Sequence, residues 1–295
     1  MTEKIKQENR IKYLPERNKA YFYLDSSQLE NDIKFIIDNN IDNIILCGEP
    51  YSTYNLNHVN WFSQISHIIK DVSITHHKKN NFVFDGLKYC KDLSCLKVIH
   101  YDNEPIDLSN NVHLKRLDIE NCKNIIGFEN LVEIETLSLN KTPVTMLCYD
   151  TFKNFNNLRH MSISNTDLTD GLDFLRGSSI SSLSILYCRK LSLHGIAQLS
   201  LSSLEIHNCK NIDCLELIFS LKDLKEIKII DSAMLDTAEN FLKINKLESL
   251  IVLGSSYFQD GNLNPLKDKL KVFNYDNKRH YNIKWEVFKN SYLKK

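Results

Sequence analysis

Apolar residues in this chain fall into a short frame that recurs. Leu114, Leu117 and Ile119 are spaced three and then two apart, and Asn121 and Cys122 follow. Leu201, Leu204, Ile206, Asn208 and Cys209 repeat that frame, and both segments continue Lys-Asn-Ile. The frame opens at residues 41, 69, 93, 114, 134, 158, 180, 201, 224, 247 and 270, the outer copies being weaker. Its centre alternates apolar and polar positions, which predicts a short strand with one face buried. In 114–120, Leu117 and Ile119 face inward, while Arg116, Asp118 and Glu120 face out. The apolar residue three after the Asn/Cys position (Ile125, Leu191, Ile212, Leu235, with Phe258 counted from Ser255) packs the return path. No such unit buries its face alone, so neighbours must stack.

The spacing Leu-x-x-Leu-x-Leu with Asn or Cys after it, at 20–24 residues over most of the chain, resembles the leucine-rich repeat. The resemblance covers residues 41–278. It implies an α/β fold: a leucine-rich-repeat solenoid of about eleven repeats, with a curved parallel sheet on its concave side and helical caps. Repeats this short favour 3₁₀ or extended convex segments. Pro50, Pro105, Pro143 and Pro265 lie outside the strand cores, where no ladder donor is lost.

The flanks complete the expected organisation. Residues 1–40 form an N-terminal segment, with a capping helix over 27–39 opened by a Ser27/Glu30 capping box and turned inward by Ile33, Ile36 and Ile37. The long first interval predicts a convex helix over 58–69. Residues 279–295 form a C-terminal cap, helical through Trp285, Val287, Phe288 and Tyr292.

Composition narrows the function. Lys plus Arg and Asp plus Glu both number 37, so the net charge is zero, which argues against a nucleic-acid or anionic-membrane grip. Eight Gly and five Pro leave little room for Gly-rich phosphate loops. The first ten residues are polar and no signal-length apolar run follows, which points to a cytoplasmic protein. No run approaches the ~20 apolar residues of a membrane helix. The eight cysteines are expected to be reduced. Cys122, Cys188 and Cys209 take the buried Asn/Cys position and stack rather than pair. Cys90, Cys95 and His100 have the residue types of a zinc site but lack a fourth ligand. His76 and His77 point opposite ways from a strand. No nucleophile elbow, zinc-protease motif or P-loop is present, so no enzyme chemistry, metal or cofactor is assigned.

The outward strand positions remain. Ser138, Ser162, Ser164, Ser182, Ser184 and Ser203 form a small, uncharged stripe. Arg116, Asp118, Glu120, His160 and Tyr187 flank it on one side, and Glu205, His207, Glu226 and Lys228 on the other. This face is expected to bind a folded protein, with Arg116 and Tyr187 as first anchors. The expected molecule is a monomeric, non-catalytic binding module. One form of it is a bacterial immunity or inhibitor protein that occludes a toxin. The alternative is an effector or adaptor that recruits a target, with a second surface where Arg10, Lys12, Arg17 and Lys19 cluster.

Overall fold

The computed structural model describes residues 7–15, 17–46, 56–75, 82–99, 104–144 and 149–287. The chain forms two compact units: residues 1–146 with 154–157, and residues 147–153 with 158–295.

The first unit opens with an antiparallel hairpin, β1 (Ile11–Leu14) and β2 (Lys19–Tyr23), in which Ile11 opposes Phe22 and Leu14 opposes Lys19. Helix α1 (Leu29–Asn39) follows. Then come β3 (Asn43–Leu46), β4 (Asp71–Thr75), β5 (Cys95–Ile99), β6 (Arg116–Glu120) and β7 (Thr136–Asn140), each parallel to its neighbour. Strand β2 runs parallel to β3, so the hairpin extends the sheet of the repeats. The second unit holds β8 (His160–Ser164), β9 (Ser182–Leu186), β10 (Ser203–His207), β11 (Glu226–Ile230), β12 (Ser249–Leu253) and β13 (Val272–Tyr275), all parallel.

The alternation read from the sequence is the alternation of burial. In β6, Leu117 and Ile119 are buried, and Arg116, Asp118 and Glu120 are not. On the return side, short parallel ladders join Ile106–Asp107 to Ile125–Ile126 in the first unit. In the second they join Lys190–Ser192 to Asn211–Asp213 and Met234–Leu235 to Tyr257–Phe258. The convex segments are mostly 3₁₀ turns, among them Asp85–Tyr89, Ile196–Gln198 and Ala238–Lys243. With so few residues between strands, i→i−3 bonds are what the length permits.

Three local expectations are corrected. Helix α1 starts at Leu29, after a 3₁₀ turn at Ser26–Gln28, and no Ser27/Glu30 box forms. Asp25 takes the capping role, accepting from the Ser27 N–H at 3.0 Å and the Ser27 hydroxyl at 2.7 Å. The buried stripe of α1 is Asp32, Ile33, Phe35 and Ile36, and Ile37 is exposed. Residues 58–69 form a 3₁₀ turn, Asn60–Gln64, followed by further turns. The Phe62, Ile65 and Ile68 amides each donate to the carbonyl three residues back, which still buries Trp61, Phe62, Ile65 and Ile68. Near the C-terminus, Tyr281 is buried and its hydroxyl accepts from the Phe258 N–H at 2.8 Å. Helical backbone begins only at Trp285, and Phe288 and Tyr292 lie outside the described residues.

The column of the Asn/Cys position behaves as the sequence suggests, with one shift. In the first unit the Cys122 N–H donates to Thr142 Oγ1 at 3.3 Å. In the second, the Cys209 N–H donates to Ser232 Oγ at 3.1 Å and the Ser232 N–H to Ser256 Oγ at 2.9 Å. Ser256 replaces the expected Ser255, because Ser255 lies exposed and gives its N–H to Asp231 Oδ1 at 2.8 Å. A hydrogen bond with Cys209 and burial push the Cys188 thiol up; burial does the same to Cys122.

Candidate functional site

The outward positions align in rows across the strands. In the first unit, one row is Asn43, Asp71, Cys95, Arg116 and Thr136. The next is Ile45, Ser73, Lys97, Asp118 and Ser138, and the third is Thr75, Ile99, Glu120 and Asn140. The hairpin reaches onto this face. Arg17 Nη2 donates to Asp118 Oδ2 at 2.8 Å, and Arg17 Nη1 lies 3.9 Å from Asp71 Oδ1. Arg116 Nε donates to the same Asp118 oxygen at 3.0 Å. Asp71 is 2% exposed and also takes the Tyr21 hydroxyl, with Lys19 Nζ at 3.7 Å. Burial, and then that hydrogen bond, hold the Tyr21 phenol above the usual tyrosine range. Glu120 accepts from Lys141 at 3.2 Å.

Two sequence readings change here. Arg116, Asp118 and Glu120 do share the outward face, but internal ion pairs engage all three. The N-terminal basic cluster is not one open surface. Arg10 is 5% exposed and forms a two-pronged pair with Asp32, and Arg17 is spent on Asp71 and Asp118. The hairpin brings these cations inward because its second strand joins the sheet.

The second unit carries three rows as well. The first is His160, Ser182, Ser203, Glu226, Ser249 and Val272. The second is Ser162, Ser184, Glu205, Lys228, Ile251 and Asn274. The third is Ser164, Leu186, His207, Ile230 and Leu253. The serine stripe is thus real over three strands, and Glu205 pairs with Lys228 at 3.8 Å. Tyr187 follows β9 with a left-handed φ of 57° and is 46% exposed. A bulky side chain seldom adopts that conformation. Its ring meets that of His207 at 5.3 Å. The third row is the feature that weighing charges had passed over. Leu186, Ile230 and Leu253 sit half-buried on the outward side, with Ile251 beside them. The signal was present as aliphatic residues at outward strand positions.

No protein-family profile matches the chain, and no curated protein matches it in sequence. Solved structures do match. A leucine-rich-repeat protein of Leptospira interrogans is 16% identical over 77% of this chain and 58% of its own, with a TM-score of 0.57. The fold is that of the leucine-rich repeat. An internalin of Listeria monocytogenes is 19% identical over 73% of this chain and 69% of its own, with a TM-score of 0.49. Internalin C2 of the same species is 20% identical over 67% and 84%, at 0.47.

Within this leucine-rich repeat, the other chemical candidates sort themselves by position. Cys90 is buried, its thiol pushed up to about 12 by that burial, and donates to the Gly86 carbonyl at 3.8 Å. Its proposed companion His100 lies outside the described residues, as do His76 and His77. Among the described residues no group of three or more His, Cys, Asp or Glu is placed to hold a metal ion. His194 Nδ1 pairs with Asp173 Oδ2 at 2.7 Å on the convex side. The neighbouring Ser192 hydroxyl accepts from the His194 backbone N–H, at 3.3 Å, rather than meeting the ring. No helix among the described residues is long and apolar enough to cross a membrane.

Proposed function

We propose that this chain is a non-catalytic protein-binding module, and that the strand face of its second unit takes a folded partner. The observation that carries the reading is the third row. Leu186, Ile230 and Leu253 stand where a serine would suffice for solubility, and clustered aliphatic side chains left facing water mark interaction surfaces. Tyr187 and His207 give the patch an aromatic edge, the residue type that anchors interfaces. His160, Glu205, Glu226 and Lys228 form its polar surround, suited to steering an encounter rather than to binding energy. In the first unit Arg116, with 41% of its side chain exposed, is the member of the predicted set that still offers a contact, and Asp118 holds it.

A module of this kind acts by occupying its partner. The sharper form is an immunity or inhibitor protein that covers a toxin; the alternative is an effector or adaptor that holds a target for another protein. The test is capture from a lysate of the source cells by three immobilised proteins: wild type, Ile230→Asp/Leu253→Asp, and Leu242→Asp. Leu242 is 40% exposed on a convex 3₁₀ turn and serves as the control. A stoichiometric partner held by the wild type and the control but lost by the double variant supports the face. Retention by the double variant moves the site elsewhere.

A further inference from the structure

Beside the strand face of the second unit lies a small pocket of about 380 Å³, lined by Tyr187, Arg189, Asn208, Lys210 and Asn211. Its construction follows from the repeat. Tyr187 and Asn208 occupy equivalent positions just after β9 and β10, with left-handed φ of 57° and 55°. The next residues, Cys188 and Cys209, turn into the core. The residues after those, Arg189 and Lys210, are therefore exposed. The Asn211 carboxamide ties the two turns by donating to the Arg189 carbonyl at 2.9 Å.

Arg189 and Lys210 set the charge at this pocket. Lys228, Lys246 and Lys271 each pair with a carboxylate on the preceding repeat, at 3.8, 2.5 and 2.7 Å. Arg189 and Lys210 form no ion pair among the described residues. They stand on adjacent repeats, one residue before the rung that joins Lys190 to Asn211. Like charges on neighbouring parallel rungs repel, and the acids on the flanking repeats, Asp167 and Asp231, form no ion pair with them. Asp213, the nearest acid along the chain, lines a separate cavity with Glu216 and Asp236. The pocket is lined by an arginine, a lysine, two asparagines and a tyrosine. Arginine and lysine donate and never accept, so the set suits a group with several acceptor oxygens.

We propose that this pocket binds an oxyanion, either a carboxylate of an acidic protein segment or free phosphate. The pocket opens next to Leu186 and His207, so an acidic side chain would reach it from a partner seated on the apolar row. The source of the anion rests on the docking reading, whereas anion binding itself does not.

The test uses the isolated full chain, ¹⁵N-labelled, titrated separately with sodium phosphate and with a hexaglutamate peptide against chloride at matched ionic strength. The expected result is saturable shifts of the Tyr187, Arg189, Asn208, Lys210 and Asn211 amides with at least one probe. Arg189→Gln/Lys210→Gln should weaken binding by about tenfold or more, since two charged hydrogen-bond donors are lost. Lys190→Gln, an adjacent cation outside the pocket, should leave it unchanged. Saturation by the peptide alone assigns the site to a protein carboxylate, and saturation by phosphate alone to the free ion. Absence of saturable shifts with both probes, or equal binding by the double variant, overturns the proposal. Because no partner is present, loss of the docking face in the capture experiment leaves this result standing.

Discussion

In the first unit the row through Lys97 and Asp118 ends in the grip of Arg17, which reaches in from the tip of an N-terminal hairpin. Among the described residues of the second unit, the matching row through Glu205 and Lys228 meets no such element, and the row beside it carries Leu186, Ile230 and Leu253. The same frame thus yields a face that is occupied from within and a face that is left open. The difference teaches where to look for a partner. Charged groups on a repeat surface are easily consumed by a neighbouring element, and the Asp71 and Asp118 carboxylates already have a cation. The repeat only half-buries the outward aliphatic side chains, and a partner that completed the burial would gain from them.

The largest expected effect lies at the root of the hairpin. Asp32 is fully buried on α1 and accepts from both Arg10 nitrogens, from the Gln7 carboxamide at 3.3 Å and from the Asp25 N–H at 2.8 Å. Asp32→Ala leaves the Arg10 guanidinium buried without its counter-charge. Breaking a buried pair in this way costs about 3–5 kcal/mol. Urea unfolding should register that loss, and hydrogen exchange should confine lost protection to the first unit. Equal loss in both units would end the distinction drawn between them.

A smaller effect is expected at the hairpin tip. Arg17→Ala removes the cation shared by Asp71 and Asp118. Arg17 Nη1, Asp71 Oδ1 and Asp118 Oδ1 are buried atoms without a hydrogen-bond partner even in the intact protein. That imperfect satisfaction places the expected loss at about 1–3 kcal/mol, in the range of a deleted charged hydrogen bond. Amide exchange in β1 and β2 should accelerate while β9 to β12 stay protected. Unchanged exchange in β1 and β2 would mean that the hairpin is held by its apolar contacts alone.

The repeat was legible because its signal is local: three apolar residues within six, and a buried small residue three further on. Leu117, Ile119 and Cys122 could be placed without any knowledge of their neighbours. The hairpin was not legible, because its strands are four and five residues long, flank Pro15, and show no frame of their own. Nor does any periodicity link Arg17 to Asp118, which are 101 residues apart. The outward register read for Arg116, Asp118 and Glu120 was right, and the same alternation puts Leu186, Ile230 and Leu253 on the outward side. The pairing of Asp118 was not legible, because Arg17 arrives from an element the pattern did not contain. The Ser255-to-Ser256 shift is a local version of the same limit: Asp231, on the preceding repeat, decides which serine turns in.

The smallest expected effect is read by chemical labelling of the covered face. Cys95 sits in the first row of the first unit, between Asp71 and Arg116. Burial, and then the negative charge of Asp71, raise its thiol, while the Ser94 hydroxyl, then Lys19 and Arg17, pull it down. The thiolate is the reactive form, so alkylation by iodoacetamide in the wild type should be slow at pH 8 and climb as pH rises toward the raised value. In Arg17→Ala the electrostatic change alone would raise the thiol further and slow the reaction. Local opening of the hairpin acts in the other direction, by about tenfold in exposed population for each ~1.4 kcal/mol lost. Faster labelling of Cys95 in the variant can therefore come only from access, and it would show the hairpin to be a removable cover. Cys90, held near 12 by burial, should stay unmodified in both proteins and serves as the reference thiol. Slower labelling of Cys95 would mean that the tip stays seated without its arginine, and the first unit's face would then be closed by packing rather than by charge.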